Sequence, residues 1–308
     1  MRESEASIRG RVMRDLIAHV TNDHLIGKKI KNGELRKKIG DSEPQWKCPD
    51  CFSLDVIPMD NFNMEYLQAK ENPNTEKVIL QLHGGGYVGA MRNAYRMFAG
   101  LYCEVSHGMS VLTPDYRVAP EHPYPAALED AYAAYCYLLE QGWFSEQIIV
   151  AGDSAGGGLA MALCHYLKDH GKQLPCGIIA MSPWTDLAAR GESYETNYER
   201  DPLFGKTRDS LIYNKDYIGD NDPYNAYISP LYGDFRGFPP MLIQVGSYEM
   251  LLSDSVDVAA KAREQGGKVR ISIYEGMFHI FQMAAKMLPE SKRAWVEIGK
   301  FIDVLLND

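Results

Sequence analysis

The stretch Ile148 to Leu167, "IIVAGDSAGGGLAMALCHYL", runs from a short apolar block through a knot of small residues into a helical pattern. At its centre Gly152-Asp153-Ser154-Ala155-Gly156 has the form GxSxG. Between a strand and a helix, that pattern places a serine on a tight turn, with small residues two positions either side because the backbone packs too closely for side chains. Ser154 would project from the carboxyl edge of a sheet. The helix N-terminus behind it supplies positive partial charge and free N–H groups, which favour a developing oxyanion. A glycine-rich connection with a merely capping Ser154 is the plain alternative. Asp153 reads as a turn and helix-cap residue.

The surrounding chain repeats the strand and helix alternation. "KVILQL", "MSVLTPD", "QIIVAG", "CGIIAMS", "PMLIQVG" and "VRISIY" are short apolar runs. Helical patterns are expected at Pro125 to Gln141, Ser154 to Asp169, Arg208 to Tyr217, Ser253 to Gln265 and Ser291 to Leu306. The alternation implies an α/β fold with a mostly parallel central sheet and helices on both faces. "FSLDVIPM" and "NFNMEYLQ" read as an antiparallel hairpin at one edge. Ile8, Val12 and Leu16, with Ile17 and Val20 beside them, predict an amphipathic N-terminal helix, either core or a cap over a site. The rhythm breaks between about Trp184 and Arg236, a stretch with seven tyrosines that is either a surface excursion or a lid forming an apolar acyl pocket.

With 308 residues and 45% hydrophobic content the chain can bury a large core. A formal charge of -9 disfavours nucleic acid and anionic lipid as partners. No secretory h-region and no apolar stretch of spanning length is present, so a cytoplasmic location is expected, without a membrane anchor. The cysteines Cys48, Cys51, Cys103, Cys136, Cys164 and Cys176 are scattered, and the Cys48-Pro49-Asp50-Cys51 spacing has no second Cys or His pair to complete a zinc site. Ordinary thiols are expected.

His83-Gly84-Gly85-Gly86 follows the "KVILQL" strand, and three glycines let backbone N–H groups approach a substrate oxygen closely. With the Ala155 amide they would make a three-donor oxyanion hole. His83 is expected to brace this loop. Among candidate bases, His165 and His170 lie roughly 16 and 24 Å along the helix from Ser154, at about 1.5 Å per residue, and cannot reach it. His122 sits in a proline-rich turn and reads as structural. His279, in the loop after the last strand, would end on the same rim as Ser154.

Four blocks in this order, "HGGGY" (His83 to Tyr87), "DYRVAPEHPYPAALEDA" (Asp115 to Ala131), "GDSAGG" (Gly152 to Gly157) and "GMFHIF" (Gly276 to Phe281), resemble the hormone-sensitive-lipase family of carboxylesterases, within the α/β-hydrolase fold. The resemblance implies Ser154 as nucleophile, His279 as base, and oxyanion donors from Gly85, Gly86 and Ala155. It also implies a helical cap made by N-terminal helices over residues 1–45 and by an insertion at about 184–236, on a catalytic domain spanning 46–308. Trp184, the tyrosines, Phe204 and Phe238 would line the acyl pocket. Many members carry an Asp at the start of a DPLxD-like segment, where this chain has Glu249-Met250-Leu251-Leu252-Ser253. Glu249 falls in the loop after "PMLIQV" and Asp254 in the first turn of the next helix, which favours Glu249 as the acid.

The implied activity is hydrolysis of short- to medium-chain acyl esters on a small-molecule substrate, with no metal or organic cofactor. An amidase, lactonase or deacetylase on the same triad is the enzymatic alternative, and a non-catalytic small-molecule binder the alternative from another class. An edge strand or the last helix could pair subunits into a homo-oligomer.

Overall fold

Eight strands form one sheet in the order β1-β2-β4-β3-β5-β6-β7-β8. The strands are β1 (Phe52–Pro58), β2 (Asn63–Ala69), β3 (Asn74–Leu82), β4 (Met109–Pro114), β5 (Ile148–Asp153), β6 (Gly177–Met181), β7 (Met241–Gly246) and β8 (Val269–Tyr274). The computed structural model describes residues 5–22, 26–34 and 43–307. β1 and β2 form the expected antiparallel hairpin, and β2 continues antiparallel onto β4. From β4 to β8 every pairing is parallel.

The central strands carry apolar side chains on both faces because both faces are covered. Val78, Leu80, Val150, Ile178 and Ile243 enter one core, and the residues between them, Ile79, Ile149, Ile179 and Leu242, enter the other. The first core is closed by helices α4 (Ala126–Glu140), α5 (Ala155–Asp169) and α7 (Leu252–Glu264), the second by α3 (Asn93–Val105) and α8 (Pro289–Asn307). α3 has no counterpart among the expected helices.

Helix α1 (Ile8–Thr21) forms as expected, with Ser7 Oγ accepting from Gly10 N at 3.0 Å as its N-cap. Its buried face differs from the expected one. Ile8, Val12, Leu16 and Val20 are exposed, Ile8 by 73%, whereas Met13 and Ile17 pack against Tyr274, Met277, Phe278 and Phe281. Gly10 lies on this buried face, where a Cβ would come within 2.6 Å of the flexible end of Met277 and 3.3 Å of Glu290. Helix α2 (Ile26–Lys31) follows, and positions 1–4, 23–25 and 35–42 of the expected 1–45 unit lie outside the described residues. Thr21 Oγ1 donates to Pro202 O, and Lys31 Nζ donates to Gly205 O at 2.9 Å, so both helices hold the same loop.

Within 184–236 the only α-helix among the described residues is the single turn α6 (Ser193–Thr196). The helix expected over Arg208 to Tyr217 is absent, and Leu211–Tyr213 forms one 3₁₀ turn instead. Side chains compete with the helix there: Asp209 N donates to Thr207 Oγ1 and Asp216 N to Asn214 Oδ1.

Candidate active site

The parallel strands deliver the candidate residues to one rim, because each lies just past the carboxyl end of its strand. His83 to Gly86 follow β3, Ser154 follows β5, Glu249 follows β7 and His279 follows β8. Ser154 has φ +52°, a conformation that an L-residue holds only under external restraint. The restraint is visible in its backbone. Ser154 N donates to Met181 O at 2.9 Å, and Ser154 O accepts from Trp184 N at 2.9 Å and Gly158 N at 3.1 Å. A Cβ on Gly152 would lie 2.3 Å from Gly156 O, and one on Gly156 would lie 2.0 Å from Leu82 O, so both positions require glycine.

Ser154, His279 and Glu249 form a continuous hydrogen-bonded chain. His279 Nε2 lies 2.9 Å from Ser154 Oγ, and His279 Nδ1 lies 2.9 Å from Glu249 Oε2. Glu249 is fully buried, His279 is 3% exposed and Ser154 8%. The second carboxylate oxygen, Oε1, accepts from Ser182 Oγ at 2.7 Å and from Gly246 N at 2.5 Å. Ser182 also accepts from Ile280 N at 3.3 Å, so one hydroxyl ties the acid to the histidine loop. Asn197 Nδ2 donates to Glu249 O at 2.7 Å and to Ser247 O at 3.1 Å, fixing the acid's loop from the 184–236 segment.

Asp254 is engaged elsewhere. Its Oδ2 accepts from Thr185 N at 2.7 Å and Asp186 N at 2.8 Å, and burial together with the Asp186 charge pushes its carboxyl well above the usual range. Asp201, also pushed up by burial, accepts from Met250 N at 2.7 Å and from Leu203 N and Phe204 N, and this sets the Phe204 ring 4.8 Å from the His279 ring.

His83 is buried, stacks on Tyr116 at 4.0 Å and contacts Gly84 O through Nδ1 at 2.7 Å; burial holds its basicity down. His165 packs under Pro230 O, its pKa lowered to about 4 by burial, while His122 and His170 are exposed. Asp153 does more than end a strand: its Oδ1 accepts from Gly84 N at 3.0 Å, linking the serine turn to the glycine loop. Gly85 and Gly86 have φ of +119° and +66°, conformations that a side chain would strain.

A cavity of about 310 Å³ opens on Ser154 and His279. Its apolar wall includes Met13 and Ile17 from α1, Leu203, Phe278, Met283 and Met287. The tyrosines of 184–236, Trp184, Phe204 and Phe238, all expected to line it, do not. These rings are engaged elsewhere: Tyr194 donates to Asp186 O, Tyr232 to Asp186 Oδ1 and Tyr227 to Asp169 Oδ2, and Tyr217 stacks on Tyr87 at 3.8 Å. Trp184 lies 6.1 Å from the Tyr87 ring, and Phe238 packs on His165. Sequence reasoning missed Ser182, Asn197 and Asp201. No pattern in the sequence marks any of the three.

A family model described as the α/β-hydrolase fold matches residues 79–283. A solved esterase from the bacterial hormone-sensitive lipase family superposes with a TM-score of 0.85 at 32% identity, covering 98% of this chain and 100% of that one. The chain is an α/β-hydrolase of the hormone-sensitive-lipase family. Among relatives of this hydrolase, an acetyl-hydrolase of Streptomyces hygroscopicus is 38% identical over 249 residues, 80% of this chain and 82% of the relative. An esterase of Acinetobacter venetianus is 37% identical over 255 residues, 82% and 83% of the two chains. The structure of EstE5 soaked with p-nitrophenyl butyrate matches with a TM-score of 0.87 at 33% identity, over 98% and 100% of the chains. The hydrolase acts on carboxylic esters, as these relatives do. Among the described residues, no helix is long and apolar enough to cross a membrane.

Proposed function

We propose that the hydrolase cleaves short- to medium-chain acyl esters through a Ser154-His279-Glu249 triad and an acyl-enzyme. The observation that carries this reading is the pair of 2.9 Å contacts joining the three side chains at the mouth of an apolar cavity. With Nδ1–H donated to Glu249, Nε2 presents its lone pair to the Ser154 hydroxyl and takes its proton as Oγ attacks the ester carbonyl. Glu249, with donors on both carboxylate oxygens, orients the imidazole and stabilises the imidazolium that forms. The N–H groups of Gly85, Gly86 and Ala155 hold the oxyanion, at about 3 kcal/mol per donor. His279 then protonates the leaving alcohol, and water activated by the same imidazole releases the acid.

In this reading residues 1–45 and 184–236 form the cap. Met13, Ile17 and Leu203 support it, since they close the cavity above Ser154. The cavity volume suits a compact acyl chain.

The test is hydrolysis of p-nitrophenyl esters from acetate to laurate by the wild type, Ser154→Ala and Glu249→Gln. Activity should peak at short to medium chains. Ser154→Ala should lower kcat by roughly 10⁶-fold and Glu249→Gln by roughly 10⁴-fold, with circular dichroism unchanged. An active Ser154→Ala protein would sink the nucleophile assignment; rates rising steadily to laurate would sink the chain-length preference.

A further inference from the structure

Arg92 is out of place by every local rule. It lines the cavity that opens on Ser154, among side chains that are otherwise mostly apolar. It stands at the N-cap of α3, where Ser, Thr, Asp or Asn would accept a helix N–H, and its side chain makes no capping bond. A cation there also opposes the helix dipole. Four of the half-buried or exposed arginines are paired with carboxylates, Arg96 with Glu65 at 2.6 Å, Arg117 with Asp130 at 2.7 Å, Arg208 with Glu195 at 2.6 Å and Arg270 with Glu297 at 2.6 Å, whereas Arg200 lies over the Tyr248 ring and Arg263 donates to Val269 O. Arg92 has no carboxylate within ion-pair distance among the described residues. The Tyr95 ring lies 6.0 Å from its guanidinium carbon, and the guanidinium charge also reaches the buried His83, where it adds to the burial that holds the imidazole's basicity down.

The acids nearby are committed to other donors. Glu43 accepts from Asn93 N at 2.8 Å, Asp115 accepts from Met91 N at 2.9 Å, and Asp153, which also lines the cavity, accepts from Gly84 N at 3.0 Å. Among the described residues no acceptor takes a hydrogen bond from this half-buried guanidinium, which leaves its five donors facing an apolar cavity where a planar anion could meet them. Bidentate pairing with a carboxylate is the interaction that this group makes best.

We propose that Arg92 is a specificity-determining residue and that the preferred substrates are esters bearing a carboxylate on their acyl or alcohol part. The proposal rests on the Ser154 esterase reading and narrows its substrate class. The carboxylate would lie against the guanidinium while the ester carbonyl sits at Ser154, and hydrolysis itself is unchanged.

The test compares kcat/KM for two anionic esters, monophenyl glutarate and 3-(carboxymethyl)phenyl butyrate, each beside the neutral isostere in which a branched methyl carbon replaces the carboxylate. The first places the charge on the acyl side, the second on the alcohol side. In the wild type one anionic ester should exceed its isostere roughly tenfold or more, the worth of a charged hydrogen bond. Arg92→Gln should bring that ratio to about one or below, and Arg92→Lys should restore part of it. Ratios at or below one for both wild-type pairs, or a ratio that survives Arg92→Gln, would overturn the assignment while leaving the esterase reading intact. A wild type inert on all four esters would instead overturn the esterase reading, and this proposal with it.

Discussion

Glu249 and Asp254 are buried carboxylates five residues apart, and their hydrogen bonds give them different work. Glu249 faces His279, while Asp254 accepts two backbone N–H groups of the neighbouring segment and has its pKa raised by burial and by Asp186. A raised native pKa means that the folded state binds the Asp254 proton more tightly than the unfolded chain. That stabilisation is fully present below the ordinary carboxylate value of about 4 and is lost as pH rises through the raised value. Asp254→Asn has no such proton. Its stability relative to the wild type should therefore improve with rising pH above about 4, by up to about 1.4 kcal/mol per unit. Urea unfolding of both proteins at pH 4.5, 5.5 and 6.5 reads this difference, and parallel curves would mean that Asp254 is ionised throughout. The sequence separates the two acids because one ends a strand's loop and the other begins a helix. It does not reveal Ser182, because a serine after an apolar strand has no pattern of its own. Its role arises only when β6 and β7 become neighbours and bring Glu249 to its hydroxyl.

At the scale of elements, α1 shows what periodicity can and cannot supply. Helical spacing predicts the helix, but the longer row of aliphatic residues faces solvent, and the face with Gly10, Met13 and Ile17 is the one that meets Met277, Phe278 and Glu290. Glu290 anchors the helix start, accepting from Ser7 N at 2.6 Å and Ser7 Oγ at 3.1 Å. Glu290→Ala strands these donors, at about 1–3 kcal/mol. Amide exchange along α1 should then quicken roughly tenfold or more, with the central strands unaffected, in hydrogen-exchange mass spectrometry. Unchanged protection would show that Met13, Ile17 and the Arg14 contact with Gly276 O hold the helix alone. The misread helix at 208–217 has the converse origin: apolar residues fall at helical spacing, but Thr207 and Asn214 side chains capture the backbone.

At the scale of the whole molecule, the parallel sheet was legible from six apolar runs, whereas its order was not. Period and composition are silent on β3 lying between β4 and β5, an arrangement that makes the glycine loop and the serine turn neighbours. Burial across this architecture also ranks the six free thiols. Cys51 is exposed, Cys103 is buried with its pKa pushed up to about 11, and Cys164 is raised by complete burial. A disulfide-exchange dye at pH 8 should therefore modify Cys51 first, with Cys103 and Cys164 reacting only after unfolding; early labelling of Cys164 would contradict this packing. The bond between Ser7 and Glu290 joins residues 283 positions apart. On a ribosome adding about 5–20 residues per second, helix α1 waits roughly 15–60 s for the surface it rests on. Throughout that interval Met13 and Ile17 have no wall to complete, so the nascent chain carries its pocket lining as an uncovered apolar face until the last strand and helix are free to receive it.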